Sequence, residues 1–238
     1  MNESTPQLTV IAPAFNEEEC LPELTYAITQ ALQSSNFTYE IILVDDASTD
    51  RTAERIRQLQ AQYPTVRGLF HTTNAGQSAS LATGFRHARG SLIATLDADL
   101  QNPPHEIPRL LQHLTPETDA VCGVRTQRND TLIRRLSSRI ANSYRDWITG
   151  VPVADAGCNL RIIRRQALTE ILIFNGTHRF LTTLLKLQGL HVKEIEIAHQ
   201  SRHAGQSKYG IGNRLWRGIH DCFAIRWYRQ RALPANRT

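Results

Sequence analysis

Nowhere in the 238 residues do about 18 apolar residues run together, so no transmembrane helix is expected. The opening MNESTPQLTV has neither a basic n-region nor an apolar h-region, so no signal peptide is expected either. Cysteine is sparse. Cys20, Cys122, Cys158 and Cys222 lie far apart and form no CxxC pair. That argues against structural zinc and a disulfide framework, and it fits a reducing, cytosolic compartment. No GxGxxG follows any run that reads as a strand, which disfavours a dinucleotide-dependent dehydrogenase. The GxGxR loop expected after the first strand of a nucleotidyltransferase is missing too. Basic residues are not interleaved with aromatics, so no nucleic-acid partner is expected. Internal repeats and low-complexity tracts are absent.

What is present is ordinary globular composition, 41% hydrophobic and 21% charged, long enough to bury a sizeable core without staples. The net charge of +5 hides a split. Residues 1–119 carry 7 arginines against 15 acids, and residues 120–238 carry 20 Lys and Arg against 7 acids. An acidic half suits a metal, and a basic half suits phosphates or an anionic lipid surface.

LTVIA from Leu8, YEIILVDD from Tyr39, VRGLFH from Val66 and SLIATLDADL from Ser91 read as strands. The second is a continuous apolar run ending in acid, the pattern of a buried parallel strand. A helix is expected from about Pro22, with proline in its first turn. Ser48, Thr49 or Asp50 can cap the next helix, which carries Ile56 and Leu59 inward. NAGQSASLATGFRHARG supplies a loop and a small-residue helix. This alternation predicts an α/β fold with a right-handed, doubly wound, mostly parallel sheet. Beyond it come a basic helix over TLIRRLSSRIANSYRDWI, a strand around NLRIIRR, helices on either side of Gly176, and a strand in HVKEIEIAHQ. Residues 1–210 read as the catalytic domain and 211–238 as a C-terminal amphipathic helical appendage.

The most specific motif is DADLQ, residues 97–101. In extended backbone, positions i and i+2 point the same way. Asp97 and Asp99, with Gln101 after them, can therefore converge on one hard cation shared with phosphate oxygens. In VDDAST, Asp46 sits where a base or ribose hydroxyl could donate to it, and in PAFNEE, Glu17 could likewise meet a nucleotide. RHAGQSKYG, residues 202–210, is a cationic, glycine-containing loop suited to cover a diphosphate, with Arg202 and Lys208 as its charges.

Taken in order, PAFNEEE, EIILVDDASTDRT, NAGQSASLATGFRHARG, LDADLQNPP, GVR and RHAGQSKYG resemble family 2 glycosyltransferases. The most similar branch is that of dolichol-phosphate mannose synthase and the bacterial polyprenyl-phosphate glycosyltransferases, and the resemblance covers roughly residues 8–230. It implies a GT-A fold and inverting transfer of a hexose-type sugar from a GDP- or UDP-sugar to a dolichyl or undecaprenyl phosphate, with one Mg²⁺ or Mn²⁺. Position by position, Pro13, Phe15, Glu17, Val44 and Asp46 match nucleotide-binding residues, and Ala98 matches a backbone contact to the nucleotide. Asp97, Asp99 and Gln101 match the metal ligands. Arg125 matches an arginine that holds phosphate, Arg134 or Arg135 matches a second, and Arg202 and Lys208 match the lid. Two departures stand out. Ala204 replaces an arginine of some relatives, and DAGCNLR from Asp155 replaces DPxSGF, a stretch that in the family lies near the sugar and acceptor.

A polyprenyl phosphate oxygen is already anionic near neutral pH, so its attack needs no strong base. A saccharide hydroxyl would need one, and Asp155 is the candidate in that alternative. A non-catalytic nucleotide-sugar-binding protein is the other alternative, which the intact DxDxQ disfavours. The C-terminal segment places Leu215, Trp216, Ile219, Cys222 and Phe223 at helical spacing, broadened by Ile225, Trp227 and Tyr228 and flanked by five arginines. It is expected to lie peripherally on an anionic, cytosolic membrane face. The sequence leaves the oligomeric state open.

Overall fold

A computed structural model describes residues 5–125, 142–198 and 211–231 of the chain, with only the helical backbone described over 211–217. The first half forms β1 (Leu8–Ala14), α1 (Leu21–Gln33), β2 (Tyr39–Asp45), α2 (Thr52–Gln62), β3 (Val66–Phe70), α3 (Gln77–His87), β4 (Leu92–Thr95) and α4 (Glu106–Gln112). The second forms β5 (Ala120–Arg125), a helix α5 over 142–149, β6 (Arg161–Arg164), a 3₁₀ turn (Arg165–Leu168), α6 (Thr177–Leu187), β7 (Val192–Ile197) and α7 (Ile211–Arg231). The strands make one sheet in the order β3-β2-β1-β4-β6-β5-β7. β1 pairs in parallel with β2 and β4, and only β6 runs against its neighbours, β4 and β5. The chain halves therefore occupy opposite ends of the sheet.

Period-two alternation puts β1 and β2 in two cores at once. Leu8, Val10, Ala12, Ile41 and Leu43 face one layer with Leu24 and Ile28 of α1, Ile56 of α2 and Ile107 of α4. Ile11, Ile42 and Val44 face the other, with Leu81 of α3. The expected helix at Pro22 is α1. Its buried Leu21, Leu24, Thr25, Ile28 and Leu32 recur at helical spacing, and proline sits in its first turn. The N-cap of α2 is Arg51 rather than Ser48, Thr49 or Asp50, though Asp50 just before it accepts from the first helical amide, that of Thr52, at 2.9 Å. α5, α6 and α7 share a third core around Ile148, Phe180, Leu184, Cys222 and Ile225.

Three expectations about elements differ in the structure. β4 stops at Thr95, before the acids rather than through them. Before Gly176 there is a single 3₁₀ turn rather than a helix. The apolar stripe of α7 divides: Cys222 and Ile225 pack inward, while Phe223 is 51% and Trp227 63% exposed. Leu215 and Trp216 lie outside the described side chains, as does most of the expected basic helix from Thr131.

α3 is rich in small residues because it lies directly on β1. A Cβ on Gly84 would sit 2.5 Å from Ile11 Cγ2, a methyl in the fully buried core. Gly84→Ala is therefore expected to destabilise the protein by about 1–2 kcal/mol, overpacking outweighing the roughly 1 kcal/mol that alanine gains in a helix. Denaturant melts should show this loss, and in a double variant with Ile11→Ala, which removes Cγ2, the two losses should sum to less than their separate values.

Candidate active site at the carboxyl edge of the sheet

Parallel pairing brings the ends of β1, β2 and β4 to one edge, where open α/β sheets bind ligands. The loops after these strands are held in uncommon backbone. Asn16 (φ 54°), Ala47 (φ 56°) and Leu100 (φ 61°) are the positive-φ residues other than glycine among those described, one in each loop. Left-handed backbone costs a non-glycine residue roughly 1–3 kcal/mol and persists where surroundings enforce it. Here they do. The Asn16 amide donates to Ser48 Oγ at 2.9 Å, and its Oδ1 accepts from the Thr49 amide at 2.7 Å. The Glu17 amide donates to Thr52 Oγ1 at 2.8 Å, and Glu18 pairs with Arg51 at 2.9 Å. Leu100 is fixed by burial of its side chain in the core.

The β2 end is equally ordered. Asp46, 3% exposed, accepts from His71 Nδ1 (2.8 Å), the Ala75 amide (2.9 Å) and the Gly76 amide (2.7 Å). Three of about four acceptor positions on this carboxylate are thus taken up by the protein, and Asp46 shapes the loop before α3. Val44 is fully buried, so any contact it makes with a ligand is through its main chain. Pro13, Phe15 and Glu17 line the same edge half-buried, and Ala98 is buried.

After β4, the Asp97 carboxylate accepts from Gln77 Nε2 at 2.7 Å and from Asn159 Nδ2 at 2.9 and 3.0 Å. Burial, and then the charge of Asp99, push the Asp97 carboxyl above its ordinary pKa; the Asn159 hydrogen bond and the charges of Arg161 and Arg125 pull the other way. Asp99 Oδ1 accepts from the Gln101 amide at 3.2 Å. Asp97, Asp99 and Gln101 are the groups that could hold a metal, all through oxygen. Among the described residues no cluster of three or more His, Cys, Asp or Glu forms a metal cage. Two carboxylates suffice for an ion that keeps waters and shares phosphate oxygens, as Mg²⁺ does.

Arg125 and Asp155, expected as phosphate ligand and alternative base, are each other's partner. Arg125 Nε and Nη2 donate to the two Asp155 oxygens at 2.7 and 2.9 Å, with both side chains about nine-tenths buried. The Arg125 and Gly157 amides donate to the same carboxylate at 3.2 and 3.0 Å. The pair engages two of the five guanidinium N–H donors of Arg125 and, with the two amides, the lone pairs of Asp155. Cys158, in the same turn, is buried and pushed up to about 11 by desolvation, so it stays a protonated, structural thiol. Arg134, Arg135, Arg202 and Lys208 lie outside the described residues. Gln77, Asn159 and Arg161 were not singled out by sequence reasoning. The signal available for the last was an arginine opening an apolar strand.

The model of the family described as glycosyl transferase family 2 matches residues 9–172. An undecaprenyl-phosphate 4-deoxy-4-formamido-L-arabinose transferase of Shewanella sediminis is 38% identical over 215 residues, 90% of this chain and 65% of its own length. Its counterpart in Pseudomonas fluorescens is 39% identical over 203 residues, 85% of this chain and 60% of its own length. The chain thus spans somewhat under two thirds of these relatives. Among solved structures, glucosyl-3-phosphoglycerate synthase from Mycobacterium tuberculosis, bound to UDP, is 17% identical with a TM-score of 0.70, covering 93% of this chain and 80% of its own. A mannosyltransferase from Pyrobaculum calidifontis, in complex with GDP-mannose and Mn²⁺, is 18% identical with a TM-score of 0.59, covering 97% and 71%. These likenesses establish the same fold, and with the family model and the sequence relatives they lead to one conclusion: the chain belongs to glycosyltransferase family 2.

Proposed function

We propose that the protein moves a sugar from a UDP- or GDP-sugar to a polyprenyl phosphate at a membrane surface, with inversion and with a divalent cation. The observation that carries this reading is the pair of acids after β4, set among strained loops at the sheet edge, in a chain 38–39% identical to named undecaprenyl-phosphate sugar transferases. Asp97, Asp99 and Gln101 would hold Mg²⁺ or Mn²⁺, which neutralises charge developing on a diphosphate leaving group. Pro13, Phe15, Glu17, Asp46 and the main chain at Val44 and Ala98 would frame the nucleotide. Arg202 and Lys208 would cover the diphosphate, and Arg134 or Arg135 would bind the acceptor phosphate. The Arg125–Asp155 pair would brace the neighbouring turn.

That pairing also favours the lipid-phosphate acceptor over a saccharide hydroxyl. A hydroxyl must lose a proton as it attacks, and the candidate base, Asp155, has its lone pairs occupied. A phosphate oxygen needs no such base.

Membrane association has its own support. Among the described residues, no helix is long and apolar enough to cross a bilayer. Two helices instead present aromatics outward. Trp147 and Tyr144 of α5 are 72% and 42% exposed, with ring centroids 6.2 Å apart. Trp227 and Phe223 of α7 are exposed too, alongside Arg226, Arg229 and Arg231. Arg229 Nη1 donates to the Thr149 carbonyl at 3.3 Å, tying α7 to the end of α5. The acid of α7, Asp221, turns inward to Arg179 at 3.7 Å. Exposed aromatics on both helices, with exposed arginines on α7, suit an anionic lipid interface.

Three outcomes are expected. Asp99→Asn, or excess EDTA with the native protein, should lower transfer to undecaprenyl phosphate by at least about a hundredfold, of the order of removing a key electrostatic stabiliser. Mass analysis of the lipid product, with UDP- and GDP-sugars supplied in turn, checks this. Normal turnover in EDTA would refute the metal role. Asp155→Asn should leave the pH–rate profile without the loss of an acidic limb, whereas a general base at 155 would remove that limb. Binding to anionic vesicles, followed by co-sedimentation, should weaken with added salt and in the Trp147→Ala/Trp227→Ala double variant. Equal binding to neutral vesicles at every ionic strength would sink the electrostatic part of the proposal.

A further inference from the structure

Arg161 is fully buried at the start of β6. Its three donor groups reach only neutral acceptors: Asn159 Oδ1 from Nη1 (3.0 Å), the His178 carbonyl from Nη2 (3.1 Å) and Thr182 Oγ1 from Nε (3.2 Å). Among the described residues no carboxylate pairs with it directly. Burying a guanidinium without a direct counter-charge costs several kcal/mol, and an apolar side chain would avoid that cost.

The other end of Asn159 explains the arrangement. Its Nδ2 donates to both Asp97 oxygens while its Oδ1 accepts from Arg161. A carboxylate accepts only and a guanidinium donates only, so a side chain between them must do both, which an amide does. The chain of bonds then closes. Arg161 binds the His178 carbonyl, His178 Nδ1 meets Ser78 Oγ at 2.8 Å, and Gln77, next to Ser78, donates to Asp97 from the other side. The ring joins the end of β4, the start of β6 and the first turns of α3 and α6.

We infer that Asn159 and Arg161 are positioning residues for the metal: the ring built on buried Arg161 holds Asp97 in the orientation that receives the ion. The inference rests on the metal reading of Asp97 and Asp99 proposed above. An amide spacer has a physical advantage over a direct arginine pair. A guanidinium on Asp97 would take up its oxygens and place a fixed positive charge beside the incoming cation. Through Asn159 the same guanidinium orients the carboxylate from a distance and leaves lone pairs on Oδ2 free of it. Asp97 is thereby kept from swinging toward the partner it would otherwise seek.

The test is Mn²⁺ titrated into the full chain, with and without UDP, and followed by the electron-spin-resonance signal of the free ion. Residues just outside a metal's ligand shell typically contribute about 10- to 100-fold in affinity. Asn159→Ala should weaken Mn²⁺ binding within that range while the protein still folds and unfolds cooperatively, with a midpoint lowered by the lost acceptor of Arg161. Arg161→Met separates orientation from charge. Loss of a nearby cation alone would tighten Mn²⁺ binding, whereas loss of the ring should weaken it. Unchanged affinity in Asn159→Ala, or tighter binding in Arg161→Met, overturns the inference. If Arg161→Met does not fold, the half-buried Asn159 variant decides alone. If the native chain itself binds no Mn²⁺ in either condition, the metal reading fails first and takes this role with it.

Discussion

Parallel pairing of β1 with β2 on one side and β4 on the other is the constraint from which the site follows. Parallel strands end at the same edge, so three loops of unrelated sequence meet there without any of them having to reach. Because β1 is buried on both faces, its position is fixed by two cores, and the loops inherit that rigidity. Backbone that would relax elsewhere is held at Asn16, Ala47 and Leu100, each in a loop that continues one of these strands. The cross-links from residues 16–18 to residues 48–52 turn two loops into one rigid rim.

Two buried arginines near this rim illustrate opposite uses of charge. Arg125 is neutralised in place by Asp155, a bidentate contact that closes a 30-residue separation and braces the turn leading to Asn159. Arg161 has no direct counter-charge among the described residues and is linked to Asp97 through the Asn159 amide. Both lie on the second half of the chain, and both bear on acids contributed by the first or by the turn beside it. The antiparallel strand β6 makes this possible. Running against β4, it starts where β4 ends and so delivers Arg161 to the acidic edge, with Thr95 opposite it in the register.

Much of this was legible in the sequence where the physics is local. Apolar runs ending in acid located β2 and β4, proline marked the first turn of α1, and DADLQ marked the carboxyl edge of the sheet. What was not legible depends on contacts between distant segments. Apolar alternation carries no direction, so NLRIIRR announced a strand but not that it runs against its neighbours. An aspartate in a loop reads as available until the fold supplies its partner, which is why nothing in the sequence paired Asp155 with Arg125 or gave Asp46 its contacts with His71, Ala75 and Gly76. Leu100 sits in left-handed backbone without the glycine that would have announced it. The apolar stripe of α7 could not reveal which part faces its own core, a division set by α5 and α6.

The sheet order gives the uneven charge of the chain a direction in space. Residues 1–119, with 15 acids and 7 arginines, build β1 to β4 at one end of the sheet, and the strands of the basic remainder lie at the other. The same split in sign holds over the described residues alone, so strand order sets their negative and positive charge at opposite ends of the sheet. In a field that decays over about 8 Å at physiological ionic strength, such a body feels a torque before it makes any contact. An anionic surface would turn it basic end first, so that encounters begin already aligned instead of being sorted by collision, and added salt would shorten the range of that alignment before it removed the attraction.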